Sequence, residues 1–596
     1  MVASRYKIVQ GVRLLKPDTL VFLALAAWWV LNLLQAAFTG LADDEGYYWY
    51  FSQHLDWGYF DHPPMVALLV WLSSWLPGGL GVRFFATLLQ PLYLWLFWRL
   101  IRPADATRRD AVAYFLICFS QPLLQLYGFL AVPDAPLLMF TVLFLWAYKR
   151  FLDRGNMLNA TLMGLSVALL GYSKYHGALV VALVLLSNPR LFRRWQLWWA
   201  GLVALVLFLP HLWWQYGHDW VSFRYHLVDR NAWEYSPAFT LEFIGTLLVL
   251  FNPLWLWHYW KGFRRRDPQL GDTTVAFRRS LLFLLCGFLL FFLLSTFRGP
   301  VQAQWVLPVV FPLVALLFGV GRRSRYVYVA GWVVFGLMLA VRLVAVVNPF
   351  DFKGEVFNQP AKYRTIADLA DGRPVQFTSY TAAAKYAYYT GQPSYCTPFY
   401  YLRQSQWMYD TADRAFNGRE IVVAGYSDIG GDTLFLPDGT SMRYKPMPAY
   451  VPTRELQVEC LTPIDFALPY SRPATADAPA AGLPPLTLTL AVTNPYDYDI
   501  CPSATCPMNV WFYFHVQQNV ALFARAPLPD TLPAGTVTVI EQPLFFERTF
   551  PARMPNGEQI TGFAIGRDGV SPPPCSSKFR TVVTNGPDTL RITMPQ

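Results

Sequence analysis

The sequence predicts a polytopic α-helical membrane protein of about eleven transmembrane helices, followed by a C-terminal region of α/β and then β-sandwich-like character. Three observations predict it. Of the 596 residues, 54% are hydrophobic and 17% aromatic but only 14% charged, whereas a soluble globule has about 25% charged residues. Apolar runs of about twenty residues, the length that crosses a bilayer, recur up to residue 348. At Asn348-Pro349 they stop, and shorter segments with turn residues take over.

The first apolar run, 20–38, follows a basic start (Arg5, Lys7, Arg13, Lys16). It is long enough to be kept as a membrane helix rather than cleaved, which would leave the N-terminus in the cytoplasm. Further spans are expected at 81–101, 110–130, 134–151, 157–172, 175–188, 196–214, 239–260, 278–297, 301–319 and 326–347. Residues 157–172 and 175–188 are short for a crossing, and 64–76 suits a helix lying in the interface. Alternate connectors hold the Lys and Arg clusters: 99–109, 149–154, 190–194, 261–266 and 322–325. These should face the cytoplasm, so the other connectors and everything after residue 347 should lie outside, in a bacterial plasma membrane. The net charge of +10 is explained by this placement, and no nucleic-acid partner is expected.

Three domains follow: 1–348 in the membrane, 349–445 as an exterior α/β domain, and 446–596 as an exterior β-rich domain. In the second, helices near 361–370 and 381–389 alternate with strands at 375–379 and 420–424. In the third, alternating segments at 486–492, 510–516, 535–546, 560–566 and 589–594 suggest a sandwich after the Ala/Pro-rich linker 473–485. Cys118 and Cys286 sit in membrane runs, whereas Cys396, Cys460, Cys501, Cys506 and Cys575 fall in the exterior part. Exterior thiols tend to oxidise, and Cys501 with Cys506 is the first pair expected.

The connector 41–64, LADDEGYYWYFSQHLDWGYFDHPP, concentrates the chemistry. Asp43, Asp44 and Glu45 open an aromatic helix near 46–54, where acids suit the helix N-terminus and an Asp could serve as its cap. The same placement would fix a carboxylate as a general base for an acceptor hydroxyl. Asp61 and His62 precede two prolines, so the following helix would turn an anion-attracting N-terminus toward them. Asp134 opens an apolar helix, and Lys174, His218, His226 and Arg298 fall on connectors or helix ends of the same face. Acids, cations and histidines at one interface suit transfer from an anionic lipid donor, with cations steadying the departing phosphate. Lys174 and Arg298 are equally read as snorkelling side chains.

The motifs DEGYYW (44–49) and LDWGYFDHPPM (55–65), with PDAP (133–136), GYSKYHG (171–177), HDWVSFRYHL (218–227) and GPVQAQW (299–305), resemble a known family. It is that of bacterial GT-C membrane glycosyltransferases of the protein-mannosyltransferase-like type, including the lipid A aminoarabinose transferases. The resemblance covers about residues 1–410. It implies a GT-C fold, a polyprenyl-phosphate-linked sugar as donor, and an inverting transfer to a glycan, lipid or protein. By motif, it implies Asp44 as the base with Glu45 beside it, and Asp134 as a second acidic landmark. Asp61 and His62 match a Glu-Lys pair, with His in place of Lys; His62, Tyr59, Lys174 and Arg298 would contact donor or phosphate. A divalent metal is the one cofactor expected, at Asp61 with His226 or His218. A flippase for a lipid-linked saccharide is the alternative, but such transporters place charges near the midplane and show internal repeats. A membrane-anchored carbohydrate-binding protein leaves the charged connector unexplained.

Overall fold

The chain forms two compact units, Met1–Phe352 and Lys353–Gln596. The computed structural model describes residues 15–227, 235–265, 272–397, 405–426, 429–469, 485–502, 507–516, 519–541, 543–546, 556–567, 579–586 and 589–593.

The first unit is helical throughout its described residues. It begins with α1 (Pro17–Phe38), where Pro17 occupies a first-turn position whose N–H would be unpaired anyway. The first connector holds α2 (Asp43–Gln53) and α3 (Met65–Ser73); α3 has nine residues, about 14 Å, and cannot cross. Then come α4 (Leu80–Ile101), α5 (Arg108–Phe119), α6 (Pro122–Leu126), α7 (Asp134–Asp153), α8 (Met157–Ser173) and α9 (His176–Leu186). The long α10 (Trp195–Gly217) turns sharply into α11 (Val221–Leu227). After α12 (Pro237–Leu250), α13 (Leu256–Arg264), α14 (Asp272–Ser295) and α15 (Val310–Gly321), the unit closes with α16 (Arg325–Val347).

Among the described residues, seven helices have the length and composition to cross, or eight if the pair α12 and α13, bent by 72°, is one span. This is a multi-pass membrane protein. The expected count of eleven is not confirmed by this measure, and the run 110–130 is one that falls short of it. Its helix α5 stops after 12 residues, about 18 Å, against a hydrocarbon core of about 30 Å. Gln121 is extended before Pro122, whose ring disfavours helical backbone at the preceding residue. Apolar length in sequence is therefore not helix length. Trp98, Tyr114, Tyr148 and Phe311 are buried in the core shared by α4, α5, α7 and α15. Trp198, Leu205, Val333 and Leu337 stay exposed on α10 and α16, as lipid-facing side chains do.

In the second unit, strands Ser394–Cys396, Val375–Phe377 and Ile421–Gly425 pair in parallel, and Ser441–Met447 and Asp432–Phe435 extend the sheet antiparallel. Helices Gln359–Ala370 and Tyr380–Thr390 accompany it and end on Asp371 and Gly391 in the left-handed conformation. Beyond this lie an eight-stranded and a three-stranded sheet. Leu490, Val492 and Ile540 of the small sheet share one core with Val510, Phe512, Phe563 and Ile592 of the large one. The pattern is a sandwich: inward apolar positions alternate along strands such as Met508–Val516. Cys506 and Cys575, hence the expected Cys501–Cys506 pair, lie outside the described residues, as do Arg266 and linker residues 473–484.

Candidate active site at the first connector

The N-terminus of α2 is fixed by a buried ion pair. Glu45 and Arg83 of α4 are both fully buried. Arg83 grips the carboxylate with both prongs, Nε donating to Oε1 at 2.7 Å and Nη2 to Oε2 at 2.5 Å. The amides of Ala131 and Ala42 donate to the same two oxygens at 2.8 and 2.9 Å. Arg83 also donates to the carbonyls of Ala36, Thr39 and Gly40 at the end of α1. The cap of α2 is thus Ala42, with Glu45 reaching back to it, rather than an Asp. Glu45 was expected beside the base as a catalytic acid; its oxygens accept from Arg83 and two amides. Asp44, next to it on the first turn, is exposed.

One turn after Asp44, and so on the same helix face, the Tyr48 ring meets His62 at 5.5 Å. His62 is 6.3 Å from the His226 ring, and His226 Nε2 lies 2.8 Å from the Asp61 carbonyl. The structure therefore brings Asp61, His62 and His226 together beside the face of α2 that carries Asp44. His218 stacks on Trp214 at 4.0 Å, with Nδ1 2.8 Å from that residue's carbonyl. Tyr59, expected at the donor, is a staple. Its ring stacks on Phe51 at 4.1 Å, its hydroxyl donates toward the carbonyls of Phe51 and His54, and it accepts from the Asp56 amide. Burial raises the pKa of its phenol well above the ordinary range, so the hydroxyl keeps its proton.

Asp134 and Lys174 were expected as separate catalytic and phosphate-binding groups. They are each other's partners: Lys174 Nζ donates to both carboxylate oxygens at 2.8 and 2.7 Å, with both side chains buried. The pair ties the start of α7 to the end of α8 and neutralises itself. Arg298, just after α14, is exposed.

Sequence reasoning missed a polar group on α10. His211 and Gln215 are fully buried, one turn apart in an otherwise apolar helix. That contrast was the available signal, since polar side chains within a span are costly unless they are used. Two Arg residues inside apolar helices were missed on the same ground. Arg83 is one; Arg342 of α16 is buried against Gln35 and Gln125, and the two guanidinium groups flank the Phe129 ring at 5.6 and 5.5 Å.

Among the described residues, no three His, Cys, Asp or Glu side chains come together as a metal site. The metal was expected at Asp61 with His226 or His218; His226 Nε2 meets the backbone carbonyl of Asp61, and His218 Nδ1 that of Trp214. The set does not fit a closed metal site, and no step of the chemistry is routed through one.

The sequence pattern of the family described as dolichyl-phosphate-mannose-protein mannosyltransferase matches residues 61–214. The lipid A galacturonosyltransferase RgtD of Rhizobium johnstonii is 27% identical over 271 residues, 43% of this chain and 57% of that protein. The lipopolysaccharide core galacturonosyltransferase RgtA of the same organism is 32% identical over 211 residues, 33% of this chain and 42% of that protein. The chain thus spans about half the length of the curated relatives it matches. ArnT from Cupriavidus metallidurans superimposes with a TM-score of 0.53 at 12% identity, over 71% of this chain and 97% of that one. A second structure of that protein, bound to undecaprenyl phosphate, gives 0.52 at 13% identity over the same shares. The likeness shows the fold: a GT-C membrane architecture with a β-rich C-terminal region.

Proposed function

We propose that this protein is an integral-membrane glycosyltransferase. It moves a sugar from a polyprenyl-phosphate-linked donor to a hydroxyl of an extracytoplasmic acceptor, with inversion at the anomeric carbon. The observation that carries the reading is the division between two adjacent acids. Glu45 is buried and saturated, and Asp44 is held exposed beside it, on the helix face that meets His62.

Asp44 takes the proton of the acceptor hydroxyl, and the oxygen attacks the anomeric carbon as the bond to the donor phosphate breaks. The electron pair leaves with the polyprenyl phosphate. His62, at the N-terminal approach to α3, and the exposed Arg298 are the cations proposed for that phosphate; Lys174 is already neutralised by Asp134. Asp61 is proposed to orient donor or acceptor beside them. An ArnT solved with undecaprenyl phosphate supports the donor lipid. The two galacturonosyltransferase relatives make galacturonic acid the first sugar to try, and lipid A or core saccharide the first acceptors.

The test uses membranes holding wild type or Asp44→Asn at matched expression, supplied with undecaprenyl-phosphate sugars and lipid A. Release of undecaprenyl phosphate with transfer of labelled sugar, by wild type and not by the variant, is the expected result. Equal turnover by both would remove Asp44 from the chemistry.

A further inference from the structure

Three alternate carbonyls of the connector point to one partner. Trp57 O lies 2.7 Å from His211 Nδ1, Tyr59 O accepts from Ser222 Oγ at 2.8 Å, and Asp61 O lies 2.8 Å from His226 Nε2. All three donors belong to the hairpin of α10 and α11. The segment that offers these carbonyls is an irregular one, bent at 57 and again at 60–62, with the Tyr59 amide donating to the His62 carbonyl at 3.1 Å.

The donors are aligned by their own bonds. Gln215 Nε2 donates to Tyr175 Oη at 3.0 Å and to Ser222 Oγ at 2.7 Å, while its Oε1 accepts from the Ser222 amide at 3.3 Å. Ser222 must therefore send its own proton to Tyr59 O. Tyr175 Oη, accepting from Gln215, has its proton left for His211 Nε2 at 3.2 Å. His211 must then carry its proton on Nδ1, toward Trp57 O. The Gln215 amide nitrogen also lies 3.4 Å from His211 Nε2, so Tyr175, His211, Gln215 and Ser222 form one connected polar group. The Tyr175 ring also packs 5.3 Å from the His226 ring.

The hairpin that supplies these groups is strained. Asp219 and Trp220 are consecutive non-glycine residues at φ 52° and 55°, a conformation costing about 1–2 kcal/mol each for ordinary side chains. It brings Ser222 back over Gln215, with Trp220 N bonded to Gln215 O at 2.8 Å. Gly58 lies against this surface: a Cβ there would stand 2.5 Å from Trp214 and 3.1 Å from His211 Nδ1. Strain kept in place by surrounding bonds is a mark of a segment held for use.

We infer that His211, Ser222 and His226 act as a carbonyl clasp that sets residues 57–61 and thereby fixes the buried Asp61 and the half-buried His62 at the donor site. His211 and Ser222 are positioning residues: they touch backbone, and act through the two side chains that follow. The inference rests on the transferase reading for its catalytic consequence, but not for its structural one.

The experiment has two readouts on full-length protein in nanodiscs. Hydrogen exchange of the segment 54–62 is compared for wild type, His211→Ala and Ser222→Ala, and for the conservative His211→Asn and Ser222→Thr. Asn keeps a donor near the Nδ1 position and Thr keeps the hydroxyl. The two Ala variants should raise exchange of this segment at least about tenfold, and the conservative pair should stay near wild type. Turnover of undecaprenyl-phosphate sugars should fall about a hundredfold in the Ala variants, the loss that a displacement of about 1 Å produces. It should fall no further when Asp61→Asn is already present. Unchanged exchange in both Ala variants would overturn the clasp, whatever the turnover. Altered exchange with normal turnover, or losses that multiply with Asp61→Asn, would overturn its route through Asp61. If exchange follows the clasp but Asp44→Asn and Asp61→Asn turn over normally, the clasp stands and the transferase site fails.

Discussion

Replacing Glu45 by Gln tests whether the buried acid is structural. The shape is kept and the charge is lost. In the folded protein each carboxylate oxygen accepts from one Arg83 nitrogen and one backbone amide, Oε1 from Nε and Ala131, Oε2 from Nη2 and Ala42. A glutamine has one oxygen and one NH2, so either orientation sets its NH2 against two donors. Arg83 is left fully buried without its counter-charge. Removing one partner of a buried pair costs about 3–5 kcal/mol, whereas replacing both with apolar groups of similar volume is often neutral. Glu45→Gln should therefore lose about 3–5 kcal/mol in denaturant unfolding in mixed micelles, and Glu45→Leu/Arg83→Met should not recover it, because the amides of Ala42 and Ala131 and the carbonyls of Ala36, Thr39 and Gly40 lose their partners. Asp44→Asn, exposed on the same turn, should leave the midpoint unchanged while transfer falls about 10²–10⁴-fold, the usual contribution of a general base. A Glu45→Gln protein of wild-type stability with no transfer would refute this reasoning and return Glu45 to the chemistry.

Lys174→Met should destabilise by about 3–5 kcal/mol by stranding the buried Asp134 carboxylate, and Asp134→Leu in addition should restore most of the unfolding midpoint. Gly58→Ala places a methyl 2.5 Å from Trp214 and should cost about 1–3 kcal/mol by overpacking, read as a lowered thermal midpoint together with weaker transfer. In the second unit, burial lifts the Asp413 carboxyl from 3.8 to about 6, against the opposing pull of Arg454 and the Tyr450 hydroxyl, with Glu455 and Asp410 also facing it. The folded state then holds the proton more tightly than the unfolded one. Stability from this group is greatest below about pH 4, falls by about 3 kcal/mol as pH rises through 6, and then levels. Asp413→Asn should flatten that slope in unfolding measured from pH 4 to 7.

The fold was legible because its signals are local. A run of apolar residues reports on itself, and so does alternation in a strand such as Met508–Val516. Helix length was less legible where one residue overrode the run, at Pro122. At the site, the connector declared itself by composition, but which acid does what was written nowhere nearby. Glu45 finds Arg83 across 38 residues, Asp134 finds Lys174 across 40, and Trp57 O finds His211 across 154. Opposite charges on one interface read alike whether they face a substrate or each other; only the fold decides, and here it pairs Glu45 with Arg83 and Asp134 with Lys174. The exception is instructive. His211 and Gln215 went unnoticed, yet they could have been found without a partner, because a histidine and a glutamine one turn apart in LPHLWWQYG are both expensive in a membrane helix. Within a span, polarity itself is the signal; at its ends, where polar residues are ordinary, the signal lies in the pairing, and pairing belongs to the three-dimensional structure.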